Sequence, residues 1–113
     1  MGGGRKMIRL YHGTNKRIEH PDCLAGRDNL DFGKGFYTTL LREHAEQWAG
    51  QVSFNRGGHP VVNVYELDKE AAESEFSYLQ FPLYDEAWMD FKLCILNQAL
   101  ADKYLHFVES IEL

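Results

Sequence analysis

Cysteine, proline and long apolar runs are scarce in this chain of 113 residues, which holds two cysteines and three prolines. Cys23 and Cys94 fit no metal-ligand spacing, so reduced thiols in a cytoplasmic protein are the simplest interpretation, and no metal is expected. No apolar run approaches the roughly 18 residues that span a bilayer, so no membrane partner is expected.

Basic residues are also in short supply. Twelve Lys and Arg stand against 17 Asp and Glu, which gives a formal net charge of −5. This balance argues against a general nucleic-acid binder, because such proteins need a basic surface. The sequence has one local basic cluster, interpreted as a solvated flank rather than a phosphate site: Arg5, Lys6, Arg9, Lys16 and Arg17.

Apolar content is ample, with 44% hydrophobic and 13% aromatic residues. A chain of this size buries about two thirds of its unfolded surface, enough for one core. We therefore expect a flexible leader over residues 1–6 and a single domain over residues 7–113.

Strands outnumber helices in the pattern. Their order does not alternate, which predicts an α+β fold rather than a parallel doubly wound sheet. Thr39 is expected to cap the first helix. Strands are predicted at residues 7–12, 36–39, 61–67, 93–96 and 104–111, and helices from Thr39 to about Gln51, at 82–91 and at 98–103, with one helical turn within 68–77.

The stretch from Asp31 to Ala49 organises the chain. Gly33 and Gly35 make a bare turn, where backbone can approach a ligand closely. A short strand with Tyr37 leaves this turn, and Trp48 follows eleven residues later on the helix. A tight strand-to-helix corner can bring both rings to one cleft.

A second motif, Tyr11-His12-Gly13-Thr14, ends the first strand. Together with Phe32-Gly33-Lys34-Gly35-Phe36-Tyr37 it resembles the His-Tyr-Glu branch of the ADP-ribosyltransferases, and most of all a family of small bacterial proteins placed with that fold. The resemblance covers the first half of the chain. It implies a split antiparallel sheet with short flanking helices, here with a shortened second half.

The resemblance also implies NAD as a substrate and assigns roles to residues. His12 would contact a ribose hydroxyl, and Tyr37 would stack on the nicotinamide. Gly13 would offer backbone groups to the carboxamide, with the missing side chain letting the ring approach. The remaining NAD-binding positions are Thr14, Asn29, Gly35 and Trp48. Two plainer alternatives stay open: His12 bonded only to backbone, and Trp48 packed in the core.

The third catalytic position normally carries Glu or Gln on a strand in the second half, and Lys92 stands at that place here. Glu109 is the candidate replacement, because alternation puts it on one strand face with Leu105, Phe107 and Ile111, and a carboxylate on a buried face needs a reason. A strand-end charge reaching solvent is the alternative. Three further carboxylates are available: Glu66, Glu86 and Glu112.

Two functions follow from the resemblance. The first is transfer of ADP-ribose from NAD to an unknown acceptor such as a protein, as in a bacterial toxin with an antitoxin partner. The second is a non-catalytic, truncated relative that binds a nucleotide or a protein partner. Transfer of a tRNA 2′-phosphate fits the negative charge poorly. A shortened sheet with an open edge also predicts a homo-oligomer.

Overall fold

An antiparallel sheet carries the fold of this chain. The computed structural model describes residues 7–22, 36–75, 83–85, 92–95 and 98–113. In chain order, the elements of this described part are β1 (Met7–Thr14), β2 (Phe36–Thr39), α1 (Arg42–Arg56), β3 (Val61–Asp68), α2 (Lys69–Glu75), β4 (Leu83–Asp85), β5 (Lys92–Ile95), α3 (Gln98–Tyr104) and β6 (Leu105–Glu112). The prediction of an α+β fold with an antiparallel sheet is confirmed. Within the described ranges, no helix combines the length and apolar character needed to cross a bilayer.

The strands lie in the order β4-β5-β2-β1-β3-β6. All eight residues of β1 pair with β3, whereas β1 and β2 pair at one position, Tyr11 with Thr39. We call the junction of residues 11–14 with residues 36–39 the seam. The sheet is therefore continuous in its order but has two well-paired halves, which join at a single residue pair.

One face of the sheet, the main face, carries the larger core. Opposed residues of antiparallel strands share a face, so Leu10 and its partner Tyr65 point the same way. α2 and α3 cover this face with small and branched apolar side chains. The buried cluster consists of Leu10, Phe36, Tyr65, Leu67, Ala72, Ile95, Leu100, Ala101 and Leu105.

The opposite face, the helix face, is covered by α1. Ala45 and Ala49 are fully buried against Val62 and Val64 of β3. Two alanines one turn apart leave no bulk between helix and sheet, so the α1 backbone lies directly on the strands. This close approach has consequences for the strand beneath it, described below.

The ends of α1 differ from the prediction. Its N-cap is Leu41, and Thr39 Oγ1 accepts a hydrogen bond from the Leu41 N–H at 3.1 Å without capping the helix itself. The helix also continues past Gln51 to Arg56. It ends there because Gly57, at φ 90°, takes a conformation that other residues rarely adopt.

Other elements also depart from the prediction. β1 continues through Gly13 to Thr14, and α2 is longer than one turn. The Asp68 carboxylate caps the start of α2 by accepting the Ala71 N–H at 3.2 Å. Residues 83–85, predicted as helix, form β4, since pairing with β5 overrides the local pattern. Residues 86–91 of that predicted helix and Asn97 lie outside the described residues.

β6 contains a β-bulge that decides where its carboxylates point. Tyr65 pairs with Phe107, and the next pair joins Val64 to Glu109, so Val108 is an extra residue. An extra residue moves the following side chains to the other face. Glu109 therefore shares the helix face with Val64. The predicted row of Leu105, Phe107, Glu109 and Ile111 is wrong in part, because simple alternation misses the bulge. Glu109 shares the helix face with Ile111, whereas Leu105 and Phe107 lie on the main face.

Asn63 anchors the segment that follows β1. The side chain is fully buried on β3, and its Nδ2 donates to the Lys16 carbonyl at 2.9 Å. Its Oδ1 accepts the Ile18 N–H at 3.2 Å and the hydroxyl of Ser110. Tyr65 adds a hydrogen bond from its hydroxyl to the Ile18 carbonyl at 2.5 Å. The chain leaving β1 is thus tied to the sheet beside His12.

Candidate functional site at the seam

His12 bridges the two strands at the seam. In a continued ladder Gly13 would oppose Tyr37, but the registered pairing stops at Tyr11 with Thr39. The Tyr37 carbonyl instead lies 2.7 Å from His12 Nδ1. A carbonyl only accepts hydrogen bonds, so Nδ1 carries the proton and Nε2 is left as an acceptor. This imidazole can receive a hydrogen bond from a hydroxyl group.

Phe36 stacks on one face of the His12 imidazole. The two rings stack with centroids 4.3 Å apart and planes inclined by 23°. Phe36 is itself nearly buried, and it meets the Tyr65 ring edge-on at 5.4 Å. The His12 ring is therefore restrained at Nδ1 by its hydrogen bond to the Tyr37 carbonyl and on one face by the Phe36 ring.

The protonation state of His12 follows from these surroundings. Burial lowers the pKa of His12 below its usual value near 6.5, and the hydrogen bond to the Tyr37 carbonyl opposes this shift without cancelling it. The imidazole is therefore neutral at pH 7. The neutral state keeps Nε2 as an acceptor.

Gly13 lies under helix α1. A Cβ added at this residue would lie 2.0 Å from the Ala45 carbonyl oxygen and 2.7 Å from the Ala49 nitrogen. The α1 backbone fills the space that a side chain at Gly13 would take, which accounts for the glycine without a ligand. A role for the Gly13 backbone groups in binding stays a prediction.

Tyr37 and Trp48 lie on the helix side of the seam. Phe36 points to the main face with His12, so alternation along β2 directs the Tyr37 side chain to the helix face. Trp48 directly precedes Ala49, which contacts Gly13. Both side chains are half-buried. A ligand touching both His12 and Tyr37 must reach through the seam.

The remaining predicted binding residues divide between the seam and the undescribed part. Thr14 is buried at the end of β1, opposite Val61. Asn29 and Gly35 lie outside the described residues. The structure therefore brings together the motif around His12 and the motif around Tyr37. The two residues that form the hydrogen bond are 25 positions apart in the sequence.

The predicted catalytic carboxylate is not at the seam. Glu109 is exposed on β6, and β3 separates β6 from β1, a distance of about 10 Å at the usual strand spacing. Glu66 on β3 pairs with Arg9 at 3.1 Å, and Glu112 is exposed near the end of β6. Glu86 lies outside the described residues. In the part of the chain that the structure covers, no three His, Cys, Asp or Glu side chains converge as a metal ion would require.

Sequence reasoning missed Phe36 and Asn63 at this site. Phe36 stands beside Tyr37, and alternation along β2 could have placed it on the same face as His12. Asn63 is a polar residue in an otherwise apolar strand, which is a signal of a buried hydrogen-bonding role. Phe36 belongs to the glycine-rich motif that carries the resemblance, but no role was predicted for it, and Asn63 lies outside both motifs.

These features define the class: a small α+β domain whose antiparallel sheet joins at a seam, with a neutral histidine in it. A family model described as "Protein of unknown function (DUF3990)" matches residues 8–104, and the chain belongs to this family. No curated protein and no solved structure matches the chain. The site itself must therefore supply the argument about function.

Proposed function

We propose that this domain binds NAD at the seam, as an ADP-ribosyltransferase-like protein, and transfers its ADP-ribose to an acceptor. The observation that carries the proposal is the 2.7 Å contact between His12 Nδ1 and the Tyr37 carbonyl. It unites the two motifs on which the resemblance depends. The registered pairing of β1 with β2 ends beside this contact, at Tyr11 with Thr39.

The chemistry assigns a task to each group. Cleavage of the bond between nicotinamide and ribose develops positive charge on the ribose, so the enzyme must hold the sugar and the leaving ring firmly. His12 Nε2 would accept a hydrogen bond from a ribose hydroxyl. Tyr37 would stack on the nicotinamide, with Trp48 as a second wall. The Gly13 peptide, which lies at the seam, would bond the carboxamide.

Addition of NAD is expected to raise the melting temperature. At about ten times the dissociation constant, a ligand stabilises the folded state by about 1.4 kcal/mol, or about 5 °C for a domain of this size. Tyr37→Ala should abolish the shift, because an aromatic stack is worth about 1–3 kcal/mol. Differential scanning fluorimetry measures both.

Tyr104→Ala is the matched control for this test. It removes a half-buried tyrosine of α3, bonded to Glu75, and should retain the response to NAD. If millimolar NAD does not change the melting temperature of the unaltered protein, binding at the seam is refuted.

A second candidate function is NAD binding without transfer. The placement of Glu109 favours it, since this carboxylate lies on β6 and not at the seam, where it could offset charge on the ribose. Loss of such a stabilising group costs on the order of 10²–10³ in rate. Here the domain would act through protein contacts, with the nucleotide as a ligand.

Release of nicotinamide separates the two functions. An active transferase or hydrolase should release nicotinamide from NAD, measured by chromatography. His12→Ala should lower the rate about tenfold, the effect of losing one hydrogen bond of about 1.4 kcal/mol in the transition state. His106→Ala, which removes an exposed histidine of β6, should not change it. No release alongside an intact thermal shift would establish the non-catalytic alternative.

A further inference from the structure

Phe36 makes a contact with His12 for which the resemblance assigns no role. Its ring stacks on the imidazole at 4.3 Å with the planes inclined by 23°, whereas its contact with Tyr65 is edge-on. It is 5% exposed and belongs to the main-face core. Core packing therefore fixes Phe36, and Phe36 in turn fixes one face of the His12 ring.

The orientation of His12 needs this second restraint. The hydrogen bond from Nδ1 to the Tyr37 carbonyl restrains the ring at one atom, and the plane of the ring can still tilt about that bond. A stacked neighbour removes this freedom, because aromatic pairs contribute about 0.5–1.5 kcal/mol beyond their burial. With both restraints, Nε2 has a set direction.

We infer that Phe36 is a positioning residue of the seam site, which acts through His12 by holding its ring in the orientation and tautomer that present Nε2 as an acceptor. The inference rests on the proposed function for its purpose, because a held acceptor matters where a ligand hydroxyl is to be bound. The effect of Phe36 passes entirely through the imidazole.

The first test is NMR spectroscopy of the unaltered protein without NAD, with ¹⁵N in the histidine rings. The His12 ring should show a protonated Nδ1, an unprotonated Nε2 and upfield-shifted carbon-bound protons from the Phe36 ring current. Its titration should lie below the ordinary histidine value. An Nε2-protonated ring, or one without the ring-current shift, would overturn the inference.

The second test is Phe36→Leu, with Leu105→Val as a core control from another strand of the same cluster. In Phe36→Leu the His12 ring should lose its fixed tautomer and titrate closer to its ordinary range, and the dissociation constant for NAD should rise about fivefold. Leu105→Val should leave the ring signals in place. A folded Phe36→Leu protein with an unchanged His12 ring would contradict the inference.

If Phe36→Leu does not fold, Phe36→Met, which conserves more of the side-chain volume but has no ring, is measured in its place. The ring signals are recorded without NAD. If the His12 signals are as expected but NAD does not bind, the proposed function is refuted. The inference that Phe36 positions His12 then still holds.

Discussion

A Gly13→Ala variant is expected to lose most or all of its stable fold. The added Cβ would lie 2.0 Å from the Ala45 carbonyl oxygen, a distance that no Cβ tolerates, so helix α1 would have to move. The atoms in the way are backbone, which cannot turn aside as a flexible side chain could. Moving α1 would also separate Ala45 and Ala49 from Val62 and Val64.

The expected loss is at least about 3 kcal/mol, the upper end of ordinary overpacking, out of the 5–15 kcal/mol that holds a typical domain. Urea unfolding followed by circular dichroism measures it. Gly50→Ala is the matched control: Gly50 lies within α1, and a Cβ there would meet nothing within 4 Å. This control should gain about 0.5–1 kcal/mol, because alanine favours a helix over glycine.

The stability changes of the Gly13→Ala and Gly50→Ala variants test whether α1 packs directly on β1. A Gly13→Ala protein with the urea midpoint of the unaltered protein would show that α1 does not rest on β1 as described. A loss at Gly50 as large as that at Gly13 would show a general sensitivity of α1 instead of a specific contact.

The second large effect is expected for Asn63→Ala. The change removes three hydrogen bonds of a fully buried side chain, which join it to the Lys16 carbonyl, the Ile18 N–H and the Ser110 hydroxyl. One hydrogen bond contributes about 0.5–1.5 kcal/mol, so a total loss of about 2–3 kcal/mol is expected. The urea midpoint should fall with little change in the slope of the transition.

Asn15→Ala supplies the control for this prediction. Asn15 makes a hydrogen bond from its Nδ2 to the Gly57 carbonyl at 3.0 Å near the surface, where water can replace the lost partner. Its removal should cost less than about 1 kcal/mol. Equal losses in the two variants would contradict the anchoring role of Asn63.

Local patterns were enough to predict much of this fold. Strands β1, β2, β3, β5 and β6 and helices α1 and α3 were predicted within a few residues of their observed bounds, because apolar alternation and turn residues mark them. β4 was predicted as helix, since three residues carry too little pattern to outweigh their neighbours. Pairing with a strand elsewhere in the chain decides such a segment.

The site was predictable only in outline. The His12 and Tyr37 side chains were expected to hold one ligand. The His12 ring does bond the Tyr37 carbonyl at the seam, but the Tyr37 side chain points to the opposite face of the sheet. The reason for Gly13, the stacking of Phe36 and the face of Glu109 depend on how α1 docks and where β6 bulges. These are tertiary features that no local pattern encodes.

The bulge at Val108 has a further consequence for the protein in solution. Exposed outer strands are templates on which other chains can grow into fibrils, and a regular hydrogen-bonding row makes the best template. β6 is outermost in the described strand order, but its register shifts between the pairs of Val64 and Tyr65. Acidic Glu109 and Glu112 are exposed on the same strand. The bulge and the two exposed carboxylates therefore make β6 a poor template for a further strand.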